Sequence, residues 1–168
     1  MYKRQGLWSY NIGDTIKFTS LEPFRIIVTG RIKHFLSAFG EHVISEEVEK
    51  AMEAATKLHN VAIREFTVAP NINPKEMLPH HEWYVEFESL PKDMLAFSKA
   101  LDKEMTRLNI YYKDLIDGKI LKSLEVISVI RGGFNQYMKS EGRLGGQNKV
   151  PRLSNDRKIA DKLKTIST

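Results

Sequence analysis

The chain has 168 residues, 42% hydrophobic and 28% charged, which is enough apolar material for the core of one domain, or of one domain with part of another. It contains no cysteine and no apolar run of about eighteen residues, and Met1–Gln5 is too polar for a signal peptide; disulfides, thiolate metal sites and a helical membrane span are excluded, and a cytoplasmic location is expected. The net charge of +5 gathers near the C-terminus, where Arg143, Lys149, Arg152, Arg157, Lys158, Lys162 and Lys164 face only Asp156 and Asp161 locally, so the partner is expected to be anionic unless this is simply a solvated face.

Trp8, Tyr10 and Ile12 alternate with polar residues up to Gly13-Asp14, and Ile16 to Thr19 alternates again. Leu21-Glu22-Pro23 reads as a turn and Phe24 to Thr29 as a strand. These short strands have no local layer to pack on, and Trp8, Phe18, Phe24 and Ile26 are expected on an exposed edge. A break is expected at Gly30-Arg31. Short apolar segments follow at His34–Ser37 and His42–Ile44, around Gly40. The spacing of Val48, Ala51, Met52, Ala55 and Leu58 predicts a helix, with Ser45 as its cap, Glu46 and Glu47 in its first turn and Asn60 as its stop. Val61 to Val68 reads as a strand and Pro70 to Pro79 as a loop. In the next strand His81, Trp83, Val85 and Phe87 form one face, while Glu82, Tyr84, Glu86 and Glu88 form a face expected to be solvated. Pro91 opens a second helix carrying Met94, Phe97, Leu101, Met105 and Leu108. Ile110 to Gly118 is less regular, and Leu124 to Ile130 reads as a strand buried at its centre. A short helix follows Gly132-Gly133, then a loop from Gly142 to Leu153, then a last helix capped by Ser154. The alternation of helices and strands predicts a two-layer α/β (α+β) domain from about residue 32 onward.

Three segments could carry chemistry. In Tyr10-Asn11-Ile12-Gly13-Asp14, a carboxylate just past a strand is placed to accept from paired hydroxyls of a ribose, although a β-turn Asp commonly bonds its own backbone. In Thr29-Gly30-Arg31-Ile32-Lys33, a glycine between folding units permits a large backbone rotation, and Arg31 could bind ribose or phosphate oxygens. In Gly145-Gly146-Gln147-Asn148-Lys149-Val150-Pro151-Arg152, a glycine-rich loop could bring Lys149 to a phosphate, although such loops are more often plain surface; the spacing fits neither a P-loop nor a dinucleotide fingerprint.

Taken together, the order of these segments resembles the end of the acyl-adenylate-forming superfamily. The stretch Tyr10 to Phe18, the helix from Ser45, the strand Trp83 to Phe87 and the closing Gln147–Arg152 resemble, more narrowly, the auxin-responsive Gretchen Hagen acyl-acid amido synthetases in their bacterial form. The resemblance runs from about Gly6 to about Leu163. It implies a mixed sheet flanked by helices: a mobile C-terminal α/β domain at 35–168, a hinge at 30–34 and, at 1–29, the truncated β-strand edge of a large adenylating domain. It implies a reaction in two steps, in which a carboxylic acid and ATP give an acyl-adenylate and an amino acid then takes the acyl group and releases AMP. On this resemblance Asp14 would hold the ribose hydroxyls with Arg31 assisting, Gly30 and Lys33 would form the hinge, and Lys149 would contact the acid carboxylate and the α-phosphate. The phosphate loop, the carboxylate that binds magnesium and most of the acid pocket would belong to the large domain, so this chain is expected to be inactive alone. Plant members carry a lysine near the position of Glu41-His42, and this sequence departs from them there.

Other readings rest on single features. An acyl-CoA ligase-type domain would share the adenylation step but pass the acyl group to a thiol. A small basic nucleic-acid module would need its positive charge and aromatics in one continuous patch, so a nucleic-acid partner is not expected. A structural partner domain would use the exposed face of residues 1–29. No metal is expected: His80-His81 has no second ligand pair at a suitable spacing in the sequence. Arg131-Gly132-Gly133 reads as a helix start.

Overall fold

The computed structural model describes residues 13–31, 35–143 and 149–167. The chain divides into two compact units, Met1–Lys33 and His34–Thr168.

In the first unit, β1 (Asp14–Leu21) and β2 (Phe24–Arg31) form an antiparallel hairpin closed at Glu22-Pro23 by a cis peptide bond. β2 does not break at Gly30-Arg31: Gly30 pairs with Thr15 and Arg31 with Asp14, so ladder pairing carries the strand past the glycine. Phe18, Phe24 and Ile26 are more than half exposed, and Phe18 meets Phe24 edge-on. Trp8, Tyr10 and Ile12 lie outside the described residues.

The second unit opens with a small antiparallel pair, β3 (Phe35–Leu36) and β4 (Val43–Ile44). The turn between them uses two left-handed residues, Gly40 and His42. α1 (Ser45–His59) follows. Its cap lies one residue earlier than expected, because the Glu47 carboxylate accepts from the Ile44 N–H at 3.0 Å, and it ends where Asn60 takes the left-handed conformation. β5 (Ile63–Asn71) continues through Pro70, which was expected to begin a loop; β5 is an edge strand, where a missing N–H is tolerated. β6 (His80–Phe87) pairs antiparallel with β5, and parallel with β7 (Glu125–Val129). Being the other edge, β7 is only half-buried at its centre.

Between β6 and β7 lie α2 (Met94–Leu108) and α3 (Ile110–Asp117). α2 begins after Pro91, where Asp93 accepts from the Ala96 N–H at 2.9 Å. α3, which the sequence reads only as irregular, is capped by Asn109, whose Oδ1 accepts from Tyr112 N–H at 2.7 Å. α4 (Gly133–Ser140) and α5 (Lys158–Ser167) complete the unit. α5 starts later than Ser154 would place it, and Asp156 accepts from the Lys158 N–H.

The result is the expected mixed sheet flanked by helices. Phe66, Val68, Trp83, Val85 and Phe87 face the apolar stripes of α1 and α2. Burial of each such aliphatic or aromatic side chain contributes about 1.5–3 kcal/mol. The opposite face is not solvated. Tyr84 and Ala69 pack there with Phe134 and Tyr137 of α4 and Ala160 and Leu163 of α5. Glu82 and Glu86 are therefore 2% and 4% exposed. The Glu86 carboxylate accepts from the N–H groups of Gly132 and Phe134, closing the start of α4, so Arg131-Gly132-Gly133 does begin a helix.

Candidate functional site

Asp14 and Arg31 are direct cross-strand partners at the open end of the β1–β2 hairpin. Gly30 lies beside Arg31 in the same paired strand, and Lys33 is outside the described residues. Lys149 belongs to the second unit, so the residues assigned to one site by the sequence fall in two units.

Lys149 is exposed and borders a groove of about 580 Å³ between α4 and the start of α5, with Tyr137, Met138, Arg143 and Lys158 among its walls. The residues just after it are fixed. Val150 and Leu153 are buried. The Arg152 guanidinium lies over the Phe66 ring at 4.5 Å, donates to Phe66 O at 3.0 Å, and forms ion pairs with Glu65 of β5 and Glu49 of α1. Arg152 thus acts as a staple between the closing loop, the edge of the sheet and α1.

Much of the basic C-terminal charge is matched by acids from distant elements, which a local reading of the sequence does not show. Arg157 reaches Glu82 at 2.7 Å and Pro70 O at 2.9 Å, besides Asp161 at 3.1 Å. Lys162 pairs with Glu141. Burial alone would raise the Glu82 carboxyl, but hydrogen bonds from Arg157 and Tyr84 and the Arg157 charge hold it below the ordinary range. The same neighbourhood pushes the Tyr84 hydroxyl up, through burial and the Glu82 carboxylate that accepts from it at 2.7 Å.

Strand pairing also assembles His80, Glu82 and Glu125, with ligand-type atoms within 4.8 Å of one another. Sequence spacing could not reveal this group, because Glu125 arrives through the parallel β6–β7 register, opposite Glu82. His80 Nε2 is 3.0 Å from Glu125 and its Nδ1 is 3.1 Å from Leu78 O. Each carboxylate already has its own cation, Arg157 on Glu82 and Lys122 on Glu125 at 3.2 Å, so the charge of the group is matched by side chains.

Glu41 faces inward. It is fully buried, its carboxylate 2.9 Å from His81 Nε2 and accepting from Phe39 N–H at 2.7 Å. Burial, which raises its pKa, is outweighed by the hydrogen bond and charge of His81, so the carboxyl lies below the ordinary range. Asn109 ties the same loop to α1, donating to Glu41 O and to the Glu47 carboxylate at 3.0 Å each. His42 is exposed and lies 3.0 Å through Nδ1 from Ser37 Oγ.

A model described as "GH3 family C-terminal domain" matches residues 46–158. Among solved structures, a GH3.15 acyl acid amido synthetase is similar with a TM-score of 0.77 at 21% identity, covering 96% of this chain and 32% of that one. An AtGH3.15 acyl acid amido synthetase in complex with 2,4-DB is similar with a TM-score of 0.69 at 21% identity, covering 92% of this chain and 30% of that one. The chain therefore spans about a third of the length of these structures. No curated protein matches it by sequence.

Proposed function

The chain belongs to the GH3 family through its C-terminal domain, and from that premise we propose that it serves as the mobile C-terminal domain of an ATP-dependent acyl acid amido synthetase. The observation that carries this reading is the family match across residues 46–158; the register setting Asp14 opposite Arg31 supports its nucleotide-binding half.

In this reading the substrates are ATP, a carboxylic acid and an amino acid. ATP supplies the phosphoryl centre that activates the acid and leaves as pyrophosphate, and AMP leaves when the amine attacks the acyl carbon. The Asp14 carboxylate accepts hydrogen bonds from the ribose hydroxyls, and Arg31 offers donors to ribose or phosphate oxygens. Lys149 stabilises the extra negative charge that develops at the α-phosphate during adenylation. The hinge about which the second unit turns between half-reactions lies within residues 30–34, at Lys33, since Gly30 itself is held in the β1–β2 ladder. Magnesium accompanies ATP; the acidic groups described around His80 are already matched by Arg157 and Lys122, so its ligands are assigned to a large adenylating partner domain. The exposed hairpin residues Phe18, Phe24 and Ile26 offer that domain an apolar edge.

The test is pyrophosphate release with ATP, magnesium and a panel of carboxylic acids, using this chain alone and the same chain joined to a GH3-family adenylating domain. Release is expected only from the joined protein. Turnover by the 168-residue chain alone would contradict the assignment.

A further inference from the structure

The segment that follows Lys149 is bonded to two different sheets. On the edge of the large sheet, Val68 N–H donates to Arg152 O at 2.9 Å and Ser154 N–H donates to Val68 O at 3.1 Å, forming a single parallel rung beside β5. Thr67 Oγ1 adds a bond to Pro151 O at 2.7 Å. Next along the chain, the Asn155 side chain turns to the small sheet. Its Oδ1 accepts from Ser37 N–H at 2.9 Å and its Nδ2 donates to Phe35 O at 2.8 Å. Residues i and i+2 of an extended strand present their backbone groups on the same edge, so one amide side chain takes the place of a neighbouring strand.

β3 is the first described element after the boundary between Lys33 and His34. Asn155 therefore connects the strand nearest that boundary to the bonded segment that follows Lys149. An amide is the side chain suited to the task, because it supplies one acceptor and one donor in a single plane; Asp would set a carboxylate against the Phe35 carbonyl, and Ala would supply neither group.

We propose that Asn155 is a positioning residue that locks the Lys149 segment to the first strand after the unit boundary, so that the lysine follows rotation at the hinge without slack. The proposal rests on the reading of Lys149 as the adenylation lysine and of residues 30–34 as a hinge.

Two measurements test it separately. Amide hydrogen exchange needs only this chain, and Asn155 is exposed, so Asn155→Ala is expected to fold. Exchange should quicken about tenfold at Ser37 and also at Val68 and Ser154, with the α2 amides unchanged. Faster exchange at Ser37 alone would overturn the mechanical link. In the chain joined to an adenylating domain, Asn155→Ala should lower acid-dependent pyrophosphate exchange about tenfold and leave acyl transfer from pre-made acyl-adenylate unchanged. In a Lys149→Ala background the same substitution should cost nothing further, since residues acting as a unit are not additive. An additive loss would overturn the positioning role. If Lys149→Ala alone has no effect, the assignment of Lys149 fails, while the exchange data still decide whether Asn155 couples the two segments.

Discussion

Glu82 and Glu41 are buried carboxylates that stay charged because each has a built partner, Arg157 and His81 respectively. Removing the Arg157 guanidinium would leave Glu82 its hydrogen bonds from Tyr84 and Asn71, with His80 Nε2 farther off at 3.9 Å. Arg157→Ala should therefore cost about 3 kcal/mol, the low end for breaking a buried pair, because the arginine is 25% exposed and two hydrogen bonds remain. Urea denaturation at pH 7 measures this, and a loss below about 1 kcal/mol would show that the pair is only a surface contact. Both carboxyls lie below their ordinary value when folded. Their contribution is then complete above about pH 4.3, the ordinary glutamate value, and is lost as the pH falls below it through the lowered folded values. The urea midpoint should hold steady down to about pH 5 and fall below about pH 4.3, less steeply in Glu82→Gln. The sequence shows Glu82 only as the polar half of an alternating strand. Its cover comes from α4 and α5, much later in the chain, and no local pattern announces that a polar face will be roofed.

At the scale of elements, regular apolar spacing made α1, α2 and β6 legible. α3 was not legible, because its start depends on Asn109, a cap that also holds Glu41 and α1 from inside the core. Pro70 reads as a loop residue in the sequence, but β5 is an edge strand, where a proline is tolerated. Gly132-Gly133 was legible as a helix start, but the reason for Gly133 is tertiary. A Cβ there would lie 2.5 Å from Val129 Cγ1 and 3.5 Å from Ile130 and Ile166. Gly133→Ala should destabilise the second unit by about 1–3 kcal/mol through overpacking, and Val129→Ala in the same chain should recover part of that loss. Thermal denaturation of the two variants checks both statements; an unchanged midpoint for Gly133→Ala would show that the contact relaxes freely. The β1–β2 hairpin carries its apolar residues outward, so its amides should exchange much faster in the isolated chain than those of α1. Equal protection would contradict an unpartnered edge.

For the whole molecule, the family and the mixed sheet flanked by helices were accessible from the order of short segments, none of which is specific alone. The local basic excess misleads at this scale: Arg152, Arg157 and Lys162 are engaged by acids contributed from other elements, so the run of basic residues near the C-terminus overstates the charge concentrated there for an anionic partner. The candidate site was legible as residue types, but the Asp14–Arg31 register, the Arg152 staple and the Asn155 link depend on strand pairing and long-range closure. On the function proposed above, this domain brings Lys149 to the nucleotide for adenylation. This role is tested most directly by Lys149→Ala in the chain joined to an adenylating domain, with the two half-reactions followed apart. Acid-dependent pyrophosphate exchange should fall by about 10²–10³, comparable to the loss of one preorganised donor, while transfer of the acyl group from pre-made acyl-adenylate to an amino acid proceeds at nearly the normal rate. Equal damage to both half-reactions, or to neither, would contradict the account and leave Lys149 as a surface residue of its groove.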